Sequence, residues 1–452
     1  MKPGRSVELF GSDEPHQESS MTLPDPYPIQ PINKPVRGMV QVPGSKSFTN
    51  RALPIAAFAS GTTKLTGVLD SEDTQVMMEA LRQLGIKLHH DPAGRTVIVE
   101  GCDGKIPAKK ADLFLANSGT SMRFLAAFVA LGQGEYRLDG IPRMRERPMT
   151  DLLDALVKLG VEVESEAKNG CPPIIVRANG INGREVSVRG NVSSQYLSAL
   201  MMVGPLTQNG LTITVDGELV SQPYVDMTLS TMTAFDAQFT RDEYHSYHFS
   251  GLDSGFGGYV GCEYPIEPDA SAASYFFAAA AITEGFVTVE GLGTYSRQGD
   301  LQFVYALEKM GCFVDMTPVK TSVMGRPLRG IDIDMRDISD TVPTMAAVAC
   351  FADGPTTIRN VPHIRHKETD RISAVVNEIR KTGCKVDEFA DGLTIHPPMT
   401  QGAIFDTYND HRMAMSLALL GLKQPGIAIR DPGCTAKTYP SYFADLSLLT
   451  ER

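Results

Sequence analysis

Residues 51–68 read RALPIAAFASGTTKLTGV: an alanine-rich apolar run, a glycine, then an alternating stretch. The run is apolar on nearly every side, which predicts a buried helix rather than an amphipathic surface one. Gly61 interrupts it, and the residues that follow predict a strand. The block returns five times: MRFLAAFVALGQGEYRLDG (122–140), SSQYLSALMMVGPLTQNGLTITVDG (193–217), SAASYFFAAAAITEGFVTVEG (271–291), TVPTMAAVACFADGPTTIRNV (341–361) and HRMAMSLALLGLKQPGIAIRD (411–431). The glycines before the strands (Gly61, Gly134, Gly210, Gly285, Gly354, Gly426) stand 69 to 76 residues apart, a period that marks repeat construction.

A second block lies between these: MEALRQLGIKL, LLDALVKLGVEV, YALEKMGCFV and VVNEIRKTGCKV. In the second of them Leu152, Leu153, Leu156 and Leu159 share one helical face. The closing glycines, Gly85, Gly160, Gly311 and Gly383, fit left-handed C-caps. Each unit is therefore expected to hold two helices and three or four strands, an α/β construction. No linkers rich in Ser, Pro or charge separate the units, so they are expected to share cores in groups. GCEYPIEPDAS (261–271), interrupted by Pro265 and Pro268, divides the chain into two similar domains of three units each. The cleft between them is the expected ligand site.

The chain has 452 residues, 42% apolar and 21% charged, the balance of a soluble globular protein with room for a large core. No run approaches a transmembrane helix. Residues 1–20 lack the apolar core of a signal peptide, and 1–27 are expected to form a disordered N-terminal extension, with Met21 an alternative start. Seven scattered cysteines without a C-x-x-C pair point to reduced thiols, a cytoplasmic location and no zinc site. HIRH places His363 and His366 close together, but no further ligand joins them at metal spacing. A net charge of −11 disfavours nucleic acid as partner, while a cleft can still focus positive potential on a small anion.

Polar residues recur where the buried helices begin. Unit one has Lys46, Ser47 and Arg51; unit two has Asn117, Gly119, Thr120 and Arg123; unit three has Ser193, Ser194 and Gln195; unit five has Asp340; unit six has Asp410, His411 and Arg412. Helix N-termini attract anions, and several converging on one cleft would form a strong anion site. Capping accounts for any one Ser, Thr, Asn or Asp, but not for Lys46, Arg123, Arg412 or Gln195. RMRERP adds Arg143, Arg145 and Arg147; RHKETDR adds Lys367, Glu368, Asp370 and Arg371; CTAKTYP adds Lys437. The ordinary fate of such charge runs is a solvated surface, yet Glu368 and Asp340 lie among the cations as a candidate acid and base. PGSKSFTNRAL (43–53) is not a nucleotide loop, because Ser45 separates Gly44 from Lys46 and Gly38 is one position too distant. Ser193 and Ser194 lack a nucleophile-elbow context.

Taken in order, PGSKSFTNRAL, LANSGTSMRFLA, RMRERP, VSSQYLSAL, KETDRI, YNDHRMAM and DPGCTAKTYPSYF closely resemble the 5-enolpyruvylshikimate-3-phosphate synthases, from about residue 28 to the end. The resemblance implies the enolpyruvyl transferase fold, an inside-out α/β barrel in each of two domains. These are expected at 45–264 and at 28–44 plus 265–452, the N-terminal strand crossing to the second. It implies transfer of the enolpyruvyl group of phosphoenolpyruvate to shikimate 3-phosphate, without metal or organic cofactor, by a monomer. Carried over position by position, Ser47, Arg51, Ser193, Ser194, Ser221, Tyr224 and Lys367 correspond to shikimate-phosphate ligands, with Asp340 at the 5-hydroxyl. Lys46, Gly119, Arg147, Gln195, Arg371, Arg412 and Lys437 correspond to phosphoenolpyruvate ligands. Glu368 is then the expected acid, kept protonated, and Asp340 the base, with Lys46 and Lys437 as alternative proton carriers. Two positions depart from the pattern: His363 stands where Asn is common, placing it at the shikimate ring, and Phe124 where Pro is frequent. The latter bears on sensitivity to glyphosate, the inhibitor expected at the phosphoenolpyruvate site. The sister transferase acting on UDP-N-acetylglucosamine uses a loop cysteine that RMRERPMT lacks. A non-catalytic binder of anionic metabolites would have no need of acids among its cations.

Overall fold

The computed structural model describes residues 23–191 and 193–451. Each repeated block forms a helix and a strand, and each unit adds a second helix. Unit one carries α1 (Lys46–Phe58) and α2 (Glu72–Gln83), and unit two α3 (Gly119–Val129) and α4 (Thr150–Lys158). Unit three carries α5 (Ser194–Val203) and α6 (Gln222–Ala234), and unit four α7 (Ala270–Thr283) and α8 (Phe303–Met310). Unit five carries α9 (Val342–Ala349) and α10 (Arg371–Arg380), and unit six α11 (His411–Ala418) and α12 (Tyr442–Thr450). Every residue of α3, α9 and α11 is buried, and in α7 only Ser271 is not. Apolar on nearly all sides, these helices pack on one another and on the sheets at once. The four closing glycines of the second block adopt φ between 77° and 118°, as their capping role requires.

Five sheets of four strands and one of three are described, with one rule of order. The strand after the buried helix pairs parallel with an edge strand on one side and antiparallel on the other, as in Lys110–Phe114, Gln133–Asp139, Ile174–Asn179 and Glu162–Ser165 of unit two. Units one and four obtain the parallel edge strand from distant sequence. Glu263–Pro265 pairs with Thr62–Thr66, and Arg37–Val40 pairs with Phe286–Glu290. Buried apolar residues fall into two clusters, one spanning Phe48 to Ile266 and one joining Ile29–Val42 to Ala270–Leu449. The fold is thus two similar α/β lobes of three units. The chain crosses between them twice, side by side: Ser45 N–H donates to Glu267 O at 2.7 Å and Asp269 N–H to Pro43 O at 2.8 Å.

Residues 1–22 of the expected extension, with Met21, lie outside the described residues. Its last residues do not extend freely. Tyr27 pairs with Ile429 and packs on Phe443 with ring centroids 4.7 Å apart, and the Asp25 carboxylate accepts the Asp431 N–H at 3.0 Å. Among the described residues no helix is long and apolar enough to cross a membrane.

Candidate active site

The site lies where helix N-termini from both lobes face each other. In the first lobe, Ser45 caps α1, which frees Lys46 and Ser47 for other work. Arg51, one turn further, is buried. Its Nε donates to Thr228 Oγ1 at 2.8 Å, Nη1 to Ser47 O at 2.9 Å and Nη2 to Tyr224 O at 3.1 Å. The Phe124 ring lies 5.3 Å from its guanidinium carbon, so this aromatic supports the cation within an unbroken α3. Arg147 donates through Nη1 to Asn117 O at 3.2 Å, and its Nε has no protein partner. Burial lowers the pKa of both arginines to about 10, assisted at Arg147 by repulsion from Arg123. At Gly119, an added Cβ would stand 2.4 Å from Arg147 Nη2 and 2.5 Å from Arg123 Nη1. Ser193 caps α5 by accepting the Gln195 N–H at 3.2 Å, so for Ser193 the plain capping expectation holds.

The second lobe interleaves acids with bases. Arg371, 1% exposed, is the hub. It donates from Nε to Asp410 Oδ2 at 2.8 Å, from Nη1 to Asp340 Oδ1 at 3.0 Å and from Nη2 to Glu368 Oε2 at 2.8 Å. Arg412 Nη2 donates to Asp340 Oδ2 at 2.8 Å, and Lys367 Nζ lies 3.7 Å from Asp340 Oδ1. Asp410 also caps α11, accepting the Arg412 N–H at 2.9 Å.

The two faces touch. Lys437 Nζ of the second lobe lies 3.2 Å from Glu368 Oε1, donates to Asn117 O of the first at 2.8 Å and lies 3.8 Å from Asp73 Oδ1. Lys46 Nζ is 3.5 Å from Asp73 Oδ2, and Arg147 Nη1 is 4.0 Å from Glu368 Oε1. Arg143 spans the cleft with Nε to Glu368 O and Nη2 to Lys367 O, both at 3.0 Å. Beside this cluster a cavity is lined by Arg123, Arg147, Ser193–Gln195, Ser221, His363 and Lys367. Ser221 stands there with φ 57°, a left-handed backbone rare outside glycine. Both ring nitrogens of His363 lack protein partners, and burial with the charge of Lys367 lowers its pKa to about 4, so the ring is neutral at pH 7.

The structure thus gathers the residues singled out by sequence and sends two others elsewhere. Arg145 turns outward to pair with Asp139 at 2.7 Å. Asp370 caps α10 and pairs with Arg365 at 2.7 Å. His363 and His366 join no metal-ligand cluster among the described residues. Sequence reasoning missed Asp73, Asp300 and Ser271, and missed what Arg143 bonds. The cations around Glu368 favour its ionised form. Burial alone would raise its pKa, but Lys437, Arg371 and Arg147 together hold it well below the usual carboxyl range. Asp340 is held low in the same way, burial being outweighed by Arg412, Lys367 and Arg371.

Two three-unit lobes closing on a cluster of buried cations define an enolpyruvyl transferase scaffold. The enolpyruvyl transferase NikO from Streptomyces tendae shares that fold, with a TM-score of 0.73 at 20% identity over 93% of this chain and 96% of its own. The family profile of EPSP synthase (3-phosphoshikimate 1-carboxyvinyltransferase) matches residues 30–446, and the chain belongs to this family. The 3-phosphoshikimate 1-carboxyvinyltransferase of Trichormus variabilis is 49% identical over 420 residues, covering 93% of this chain and 98% of that protein. An EPSP synthase structure from Acinetobacter baumannii superposes with a TM-score of 0.77 at 25% identity, covering 93% and 97% of the two chains.

Proposed function

We propose that the chain transfers the enolpyruvyl group of phosphoenolpyruvate to the 5-hydroxyl of shikimate 3-phosphate and releases inorganic phosphate. The observation that carries this reading is the meeting of Glu368 and Lys437 with Lys46, Asp73 and Arg147 across the cleft, while Asp340 waits among Arg371, Arg412 and Lys367. The 5-hydroxyl oxygen bonds to C2 of phosphoenolpyruvate as its proton passes to Asp340, and C3 gains a proton. The tetrahedral intermediate then loses phosphate from C2 and a proton from C3, leaving the enol ether.

Glu368 is the proposed acid, with Lys46 and Lys437 as the other proton carriers at this end. Its low proton affinity is set by three cations, and an anionic substrate lying on those cations cancels their pull. Burial, which favours the neutral acid, then prevails. Ser47, Arg51, Ser193, Ser194, Ser221, Tyr224, His363 and Lys367 are assigned to shikimate 3-phosphate. Gly119, Arg147, Gln195, Arg371 and Arg412 are assigned with Lys46 and Lys437 to phosphoenolpyruvate, and glyphosate competes there. Cations clamping both substrates hold the reacting atoms in line and stabilise developing charge.

The domains are taken as 45–264 and 28–44 plus 265–452, and the protein as a cytoplasmic monomer. The test is phosphate release from phosphoenolpyruvate with each acceptor. Release with shikimate 3-phosphate is expected. Release only with UDP-N-acetylglucosamine, or with neither acceptor, would overturn the assignment.

A further inference from the structure

Asp300 is a buried carboxylate, 4% exposed, to which the proton steps above give no task. It stands in the turn Gly299–Gln302 of the second lobe. Its partner across the cleft is Tyr224, near the start of α6 in the first lobe, whose phenol donates toward the two carboxylate oxygens at 3.1 and 3.2 Å. The Ser271 hydroxyl, in the first turn of α7, also donates to Asp300 Oδ2. Ser271 Oγ in turn accepts from Arg412 Nη2 at 3.4 Å, the nitrogen that donates to Asp340. One chain of polar contacts therefore runs from Tyr224 through Asp300 and Ser271 to Arg412 and Asp340. Its donors and acceptors alternate consistently: Arg412 gives to Ser271, and both Ser271 and Tyr224 give to Asp300.

The backbone beside Asp300 is shaped for this approach. An added Cβ at Gly299 would stand 2.3 Å from Pro223 Cβ, the residue before Tyr224, so a side chain there would hold the lobes apart. The chemistry favours an ionised Asp300. A carboxylate accepts from both hydroxyls, whereas a protonated carboxyl turns one oxygen into a donor and loses part of that capacity. Four titratable or charged groups bear on it: Asp340 from the 336–341 turn, Arg412 from α11, Asp269 from the head of α7 and Tyr224 from α6. Burial raises Asp300 to about 6, with Asp340 and Asp269 acting the same way and Arg412 opposing. Tyr224 is held well above the usual phenol range by burial and by Asp300, so it remains a donor.

We propose that Asp300 is a positioning residue that reaches across the cleft to orient the Tyr224 hydroxyl and, through Ser271, the Arg412 guanidinium. The shikimate-phosphate and phosphoenolpyruvate subsites then come into register together as the lobes meet. This rests on the reaction assigned above, and the experiment separates the two. Steady-state kinetics are measured for the wild type, Asp300→Asn, Tyr224→Phe and the double variant between pH 5 and 8.5. An inactive wild type removes the assigned reaction itself. With an active wild type, Asp300→Asn is expected to lower kcat/KM for shikimate 3-phosphate by about 10- to 100-fold at pH 8, mainly through KM, the scale of a lost charge-assisted hydrogen bond.

The ratio of wild-type to variant kcat/KM cancels the substrates' own titration. It should shrink as the pH falls through about 6, the value to which Asp300 is raised. In kcat/KM for shikimate 3-phosphate the double variant should be little worse than Tyr224→Phe. A ratio constant with pH, or effects that multiply in the double variant, overturns the proposal. Ser271→Ala provides a second arm should Asp300→Asn fold poorly: KM for phosphoenolpyruvate is expected to rise, and an unchanged KM overturns the proposed link to Arg412.

Discussion

The two lobes repeat one construction, yet they present different chemistry to the cleft. In the first, the arginines rest on neutral partners: Arg51 on Thr228, Ser47 O and Tyr224 O, Arg123 on Gly119 O and Pro148 O, and Arg147 on Asn117 O. Within their own lobe their charge has no carboxylate partner, Arg147 approaching only Glu368 of the other lobe at 4.0 Å, which suits a landing surface for anions. In the second, Arg371 and Arg412 rest on Asp340, Glu368 and Asp410. Charge there is nearly balanced, and the carboxylates become available to carry protons. One fold, used twice, sets bare cations on one face and cations paired with carboxylates on the other.

Substitutions can break this contrast in order of expected size. Glu368→Gln and Asp340→Asn are each expected to lower kcat by roughly 10²–10⁴-fold with modest change in KM, the range for a lost acid or base. Initial rates at saturating substrates check this, and near-wild-type turnover would remove the proton role from the second lobe. Arg371→Leu leaves three buried carboxylates facing one another, and denaturant unfolding should show a loss of about 3–5 kcal/mol. An Arg→Lys change at Arg51, in the first lobe, keeps the charge but loses the fork that three acceptors hold. It is expected to raise KM for shikimate 3-phosphate about tenfold, the scale of one hydrogen bond, while sparing stability more than Arg371→Leu does. Arg336→Ala breaks an inter-lobe pair with Glu218 whose acid is largely exposed, and should cost about 0–1 kcal/mol in the same unfolding experiment.

Acid separates the lobes in another way. Asp340 and Glu368 have depressed pKa values in the folded protein. Their contribution to stability is complete above the unfolded carboxyl value of about 4 and is lost as pH falls below it toward the folded values. Unfolding midpoints should therefore drop below about pH 4, and Asp340→Asn should flatten that drop.

The six units were legible because each buried helix had to be apolar all round and each strand had to follow a glycine. The exchanged edge strands were not legible from periodicity, and only the family resemblance implied that the N-terminal one crosses over. Glu263–Pro265 and Arg37–Val40 are three and four residues long, and pairing across about 200 and 250 residues leaves no local pattern. Tyr27 was misread for the same reason, its partner Ile429 lying at the far end of the chain. In the site, Lys46, Arg147, Arg412 and Lys437 were legible through distinctive motifs. Asp73 was hidden because an acid in the first turn of α2 reads as ordinary complement to the helix dipole. Asp300 sits in a short turn with no periodicity to mark it. The charge state of Glu368 could not be read at all, since Lys437 and Arg147 approach it only through the fold.

The central claim is that one site is assembled from both faces: cations of both lobes hold the substrates, and the carboxylates Asp340 and Glu368 of the second move protons. A crystal structure with shikimate 3-phosphate and glyphosate bound tests it most directly. The account predicts shikimate 3-phosphate against Ser47, Arg51, Ser193 and Tyr224 with its 5-hydroxyl at Asp340, and glyphosate among Lys46, Arg147, Arg371, Arg412 and Lys437. Ligands bound to residues of a single lobe, with Asp340 and Glu368 remote from both, would contradict it.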